Sequence, residues 1–122
     1  MIKFSRSFVY AWQGLQYCYK TQLNFRVHLV ILLLVIVAGI ICRISVTEWA
    51  LVVVCSMIVL ILEMLNTALE YLCNTITTDF HPAIKIIKDV SAGAVLIAAA
   101  GSVIIGAVIF IPKIIILLKD FV

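Results

Sequence analysis

The chain has 122 residues, of which 66% are hydrophobic and only 12% charged, with a formal net charge of +3. An ordinary soluble domain is about half apolar and roughly a quarter charged, so this composition excludes a soluble globule and a disordered chain. It leaves one small integral membrane domain spanning 1–122. Cys18, Cys42, Cys55 and Cys73 are scattered through apolar surroundings without paired spacing, which excludes a disulfide scaffold.

Residues 1–26 carry Lys3, Arg6, Lys20 and Arg26 among Phe4, Phe8, Trp12, Leu15 and Tyr19. The apolar positions recur at helical spacing. This predicts an amphipathic helix on the membrane surface, with its basic residues among lipid head groups. Charges and aromatics interrupt any apolar core of a signal peptide, and no small-residue cleavage site follows one.

The spans lie between the charges. Arg26 and Arg43 enclose 16 residues without a formal charge, Glu48 and Glu63 enclose 14, and Asp89 and Lys113 enclose 23. At helical rise these runs cover roughly 24, 21 and 34 Å, against a hydrocarbon core of about 30 Å. With flanking residues added, they predict transmembrane helices over about 27–45, 48–78 and 88–118, the second extending beyond the bilayer. The runs do not alternate as a membrane barrel requires. Pro82 is expected in a loop, and Pro112 is expected to kink or end the last helix near the interface. Ala94, Ala98, Ser102 and Gly106 recur every four residues along that helix, a spacing that allows close helix approach in membranes.

Lys and Arg are concentrated in the N-terminal arm, with Lys85 and Lys88 in the loop after the second span. This asymmetry predicts a cytoplasmic N-terminus and a cytoplasmic 74–89 loop. Lys113 and Lys119 fall on the wrong side of the rule. The basic residues form no dense patch, so nucleic acid is not an expected partner.

The chemistry collects where the second span leaves the membrane. Glu63, Asn66, Thr67, Glu70 and Asn74 fall within about a 100° arc of a helix, opposite Met64, Leu65, Leu69 and Leu72. Such a stripe must face protein or water. The plain reading is a solvated face or a seam between subunits. Glu63 argues against it, because it directly follows an uncharged apolar run. Glu63 and Glu70 stand about 10 Å apart along the axis, so they suit two roles: Glu63 toward a lipid group, and Glu70 toward a soluble partner such as a metal ion.

The loop adds Asp79, His81, Lys85, Lys88 and Asp89. His81 before Pro82 is more ordinarily a satisfied loop histidine than a ligand, and no second His or Cys at metal spacing supports zinc. Lys88 and Asp89 are expected where the third span begins, with the Lys neutralising phosphate, free N–H groups of the helix start available to anions, and the Asp capping the helix or orienting the Lys. No P-loop sequence is present.

These residues resemble the bacterial diacylglycerol kinase/undecaprenol kinase family. The resemblance is carried by Glu63-x-x-Asn66-Thr67-Ala-x-Glu70, Asp79-Phe-His81-Pro and Lys88-Asp89-Val-Ser-Ala-Gly93-Ala-Val, with Ala11-Trp-Gln-Gly14-Leu and Asn24-Phe25-Arg26-Val-His28 before them. The ending Gly106-Ala-Val-Ile-Phe-Ile-Pro112-Lys113 is similar to the undecaprenol kinase branch. The resemblance implies a homotrimeric lipid kinase of the bacterial cell membrane, with an amphipathic surface helix and three transmembrane helices per subunit. Its active sites are shared between subunits at the cytoplasmic interface. It implies transfer of the γ-phosphoryl group of Mg-ATP to a lipid alcohol, undecaprenol before diacylglycerol. It further implies Glu63 as catalytic base with Asn66 positioning groups near it, and Glu70 as a Mg²⁺ ligand. Lys88 would contact the ATP phosphates with Asp89 beside it, and Tyr10, Asp79, Phe80 and His81 would line the nucleotide site.

Two positions depart from the family pattern. Gln22 stands where a glutamate helps to bind magnesium, and Asn74 stands where an aspartate is usual. Gln offers a carbonyl oxygen without charge and is a poorer Mg²⁺ ligand. On the residues alone, two other classes stay open: a small proton-coupled transporter with Glu63 as carrier, and a non-catalytic subunit that the two departures would suit.

Overall fold

The structure, a computed structural model, describes residues 2–119; Met1, at which the expected surface helix begins, and residues 120–122 lie outside them. Four helices follow one another: α1 (Ile2–Thr21), α2 (Leu23–Ile41), α3 (Val46–Ile76) and α4 (Pro82–Lys119). No strand occurs among the described residues. α2, α3 and α4 are each long and apolar enough to cross a membrane, which gives the all-α architecture of one N-terminal helix and three spans.

α1 turns its aromatic stripe outward. Phe4, Phe8 and Trp12 are exposed, and Phe4 meets Phe8 edge-on at 5.2 Å. The packed side carries Cys18, which is buried, and Tyr17, whose ring meets Tyr71 of α3 edge-on at 6.1 Å. The apolar stripe is thus left for the lipid surface, while a smaller face docks the helix.

The helix boundaries differ from those expected by two residues at each end of α3 and by four to six at the end of α1, both ends of α2 and the start of α4. α1 ends at Thr21, not near Arg26, because Gln22 adopts extended backbone (φ −109°, ψ 114°) and serves as N-cap of α2. Arg26 is therefore the start of the spanning helix rather than the end of the surface one. α4 begins at Pro82, six residues earlier than the charge pattern suggests. Proline is favoured at the first helical position, where its missing N–H is not needed. His81 is the cap: its carbonyl accepts from Lys85 N–H (3.0 Å) and its Nδ1 from Ala83 N–H (3.3 Å). Lys88 and Asp89 consequently lie about two turns inside α4, where backbone N–H groups are already bonded along the helix. The expected helix-start role of these two residues is not met. α4 runs through Pro112 to Lys119, one residue past the expected end at 118, so Pro112 does not end the helix.

The α2–α3 connection is a closed turn. Ile44 N–H bonds the Gly39 carbonyl (3.1 Å) and Arg43 N–H the Ile40 carbonyl (3.2 Å), the pair of bonds of a Schellman motif. Arg43 takes the left-handed position at φ 49°. Ser45 then caps α3 in a reciprocal box with Glu48, satisfying two free N–H groups of the helix start. Glu48 also pairs with Lys113 of α4 at 3.1 Å, which gives the misplaced Lys113 an acidic partner. Under this turn Ile44, Val52 and Ile109 form a buried cluster with Trp49, Ile105 and Phe110 packed against it. The Trp49 indole lies directly on Gly39: a Cβ there would come within 2.7 Å of the ring.

Candidate active site

The site is built on the far half of α3, where the helix emerges from its apolar run. Glu63, Asn66 and Thr67 are the buried polar residues of α3, at 2%, 8% and 4% exposure. They share the side of the helix that holds Val52, Val59 and Cys73, so the polar stripe continues the core-facing apolar one.

Glu63 is enclosed from several helices. Asn24 and His28 of α2 stand close enough to act on its charge, as does Cys18 of α1. Thr67 Oγ1 donates to the Glu63 carbonyl one turn back (2.9 Å). Burial holds the Cys18 thiol above its usual pKa, with neighbouring Thr67 pulling the other way. It is therefore a packing thiol rather than a nucleophile. Beside it opens a cleft of about 490 Å³ between α1 and α3, lined by Gly14, Tyr17, Cys18, Met64, Thr67, Ala68 and Tyr71.

Asn66 connects α3 to α4. Its Oδ1 accepts from Ser91 Oγ at 2.6 Å, and its Nδ2 donates to Glu70 Oε1 at 3.3 Å. The amide orientation follows from these two bonds. The Ser91 hydroxyl also lies 3.0 Å from the Lys88 carbonyl. Glu70 is half-buried, keeping an open side beyond its bond to Asn66.

A second cleft, about 340 Å³, lies at the α3–α4 end. It is lined by Thr78, Asp79, Phe80, His81, Ile84, Lys85, Lys88 and Asp89. Five expected nucleotide-site residues therefore come together: Asp79, Phe80, His81, Lys88 and Asp89. Lys85 is paired with Asp89 one turn on, while Lys88 Nζ donates to Asn74 Oδ1 of α3 at 2.7 Å. Asp79 N–H donates to Thr77 Oγ1 (3.1 Å).

Two expected residues are not gathered within the chain. Tyr10 is exposed on α1 and lines neither cleft. Gln22 bonds its neighbour Thr21 through Nε2 (3.3 Å), and no described hydrogen bond joins it to Glu70. Among the described residues no three acidic, His or Cys side chains converge on one point. A full protein cage for Mg²⁺ is thus not formed among the described residues. The donor chemistry still fits this ion, which is ordinarily held by one or two carboxylates together with substrate phosphates and waters; Glu70 supplies such a carboxylate.

Ser91, Asn24 and His28 were not singled out by the sequence as site residues. Ser91 stands one helical turn from Lys88, a spacing that puts both on one side of α4. Asn24 and His28 share a face at i, i+4, but nothing in their spacing points to α3.

Residues 9–110 match the prokaryotic diacylglycerol kinase family. The chain is 42% identical over 107 residues to a diacylglycerol kinase of Synechocystis sp., a match covering 87% of this chain but only 61% of that protein. It is 38% identical over 111 residues to an undecaprenol kinase of Bacillus subtilis, covering 91% of this chain and 90% of that protein. With a diacylglycerol kinase of Escherichia coli K12 it shares 32% over 95 residues, 78% of each. With a family match across most of its length and three relatives above 30% identity, the chain belongs to the prokaryotic diacylglycerol kinase family, a family of membrane lipid kinases.

Proposed function

We propose that this protein transfers the γ-phosphoryl group of ATP to the hydroxyl of a membrane lipid alcohol, and that the acceptor is undecaprenol. The observation that carries the reading is a polar face shared by α3 and α4. On it Glu63 is buried where the apolar run ends, Asn66 one turn on bonds Ser91 and Glu70, and Lys88 lines the open α3–α4 cleft. One end suits a substrate that lives in lipid, and the other suits a substrate that lives in water.

Each side chain takes a defined part. Glu63 accepts the hydroxyl proton as the lipid oxygen attacks, and the adjoining α1–α3 cleft gives the acceptor head group a route to it. Asn66, one turn from Glu63, positions groups near it and steadies the Glu70 carboxylate through its bond to Oε1. Lys88 offsets charge on the transferred phosphoryl group. Phe80 and His81 flank the nucleotide, with Asp79 and Asp89 at the cleft rim. When bound, a Mg²⁺ held by Glu70 and phosphate oxygens supplies further charge neutralisation.

We further read the working unit as a homotrimer in the bacterial cell membrane, with the N-terminus and the 77–81 loop cytoplasmic. Tyr10 lies outside the cleft of its own chain, so a neighbouring subunit's Tyr10 would complete it. The surfaces at Gly93, Gly101 and Gly106 are open, with nothing within 4 Å of an added Cβ, and admit a second helix closely.

Undecaprenol is favoured by the match to the Bacillus subtilis undecaprenol kinase, which covers 91% of this chain and 90% of that protein. Diacylglycerol is the second reading, favoured by the higher identity to the Synechocystis enzyme. The test is the purified protein in mixed micelles with Mg-ATP labelled at the γ-phosphate and either lipid. Label is expected in both lipids, with the higher kcat/KM for undecaprenol. No label in any lipid alcohol from folded protein ends the kinase reading, and a preference for diacylglycerol selects the second acceptor.

A further inference from the structure

The two lysines of the α3–α4 cleft are held in chemically different ways. Lys85 is paired with a carboxylate, Asp89, on its own helix. Lys88 reaches across to α3 and donates to the neutral amide oxygen of Asn74 at 2.7 Å. A carboxylate partner offsets a lysine's charge; an amide oxygen fixes its direction and leaves the charge in place. The same Lys88 backbone carbonyl lies within hydrogen-bond reach of the Ser91 hydroxyl, which donates to Asn66, so this turn of α4 is anchored to α3 at two points.

We propose that Asn74 is the positioning residue of Lys88, holding the ammonium at the cleft mouth with its full charge available to the phosphates of a nucleotide. A free lysine has four rotatable bonds, and fixing it on binding costs side-chain entropy. The Asn74 tether places that cost in the folded protein instead, so the cation is already aimed when the nucleotide arrives. The Lys85–Asp89 pair leaves Lys88 as the uncompensated cation of the two. This inference rests on the nucleotide cleft assigned above and deepens it.

The test is binding of Mg-ATP and Mg-ADP to the full-length protein in micelles, read by calorimetry without any acceptor lipid. Asn74→Ala is expected to weaken nucleotide binding by roughly three- to tenfold, the range set by having to order part of one lysine side chain on binding. Asn74→Asp, which can still accept from Lys88 but offsets its charge, is also expected to weaken nucleotide binding, most strongly at low salt where the added negative charge is least screened. In a Lys88→Ala background, Asn74→Ala is expected to add nothing, since the side chain it positions is gone.

Unchanged binding by Asn74→Ala overturns the proposal. So does an equal loss with and without Lys88, which would make Asn74 a packing residue. Should Asn74→Ala fail to fold, Asn74→Ser supplies the shortened side chain and the same comparison. Wild-type protein that binds no nucleotide overturns the cleft assignment itself, and that result is distinct from wild type binding normally with an indifferent Asn74→Ala.

Discussion

At the α2–α3 turn the polar groups of the chain satisfy one another. The Schellman bonds take up the last carbonyls of α2, the Ser45–Glu48 box takes up N–H groups at the start of α3, and Glu48 meets Lys113. Beneath them Trp49, Ile44 and Ile109 close an apolar cluster. The opposite end of the same two long helices, some 33 Å away along α3, is arranged otherwise. There Glu70 keeps an open side, Lys88 is tethered by a neutral amide, and an aromatic, Phe80, stands exposed beside a cleft. One end is finished by its own contacts, and the other is left with donors, acceptors and charges suited to a ligand. Substitutions should therefore divide by end: those at the turn change stability and leave the chemistry of folded protein intact, while those at the cleft do the reverse.

The largest expected effect is at Glu63. Glu63→Gln keeps the shape of the side chain and removes the proton acceptor. A general base contributes about 10²- to 10⁴-fold to rate, so lipid phosphorylation should fall by that range. The melting temperature should change little, because the amide keeps the shape and burial of the carboxyl group. Residual activity near wild type would remove Glu63 from the chemistry.

Next in size is Ser91→Ala. Ser91→Ala leaves the buried Asn66 Oδ1 without its donor, and an unsatisfied buried polar group costs about 1–3 kcal/mol. It should lower activity by roughly tenfold as the Asn66–Glu70 contact loosens. Because this pair crosses between α3 and α4, it is the place where the two-end division is expected to blur. Denaturation and phosphate transfer measured on the same preparation check it; an effect on stability alone would make Ser91 purely a packing residue.

Gly39→Ala tests the turn end. Its Cβ would stand 2.7 and 2.9 Å from Trp49 ring atoms and 3.1 Å from Ile44 Cδ1. The indole is stiff and already packed, so the helices must separate or the ring must turn, at a cost of about 1–3 kcal/mol. The expected outcome is a lower midpoint of thermal unfolding with kcat unchanged per folded protein. A loss of kcat in folded Gly39→Ala would show that the turn and the cleft are coupled.

Much of this division was written in the sequence, though unequally. The polar stripe of α3 could be placed because five residues at helical spacing share one face whatever they touch. The aromatic stripe of α1 was equally visible, but its direction was not: the sequence could not show that Cys18 and Tyr17, rather than Phe8 and Trp12, face α3. Charge marks a boundary near residue 88, whereas Pro82 and the His81 cap set the real start of α4. Those are local signals that the membrane-length argument passed over. The tether from Asn74 to Lys88, and the bond from Ser91 to Asn66, join residues far apart in sequence on different helices, and no spacing rule reaches across that distance.

The smallest expected effect is at Arg43, and it runs the other way. Its backbone holds φ 49° because the Schellman bonds need a left-handed residue there. For a residue with a Cβ that conformation costs about 1–2 kcal/mol, and glycine escapes the cost. Against this, glycine gives up more backbone freedom on folding, about 0.5–1 kcal/mol. Arg43→Gly should therefore stabilise the fold by a few tenths up to about 1 kcal/mol, with phosphate transfer unchanged. Arg43→Val, which keeps the Cβ and branches it, should destabilise the turn. A stabilised Arg43→Gly beside a weakened Arg43→Val would locate the effect in the backbone rather than in the guanidinium. Equal destabilisation by both would mean that the charge at the turn matters more than its dihedral angle, and that this end is less self-contained than its hydrogen bonds imply.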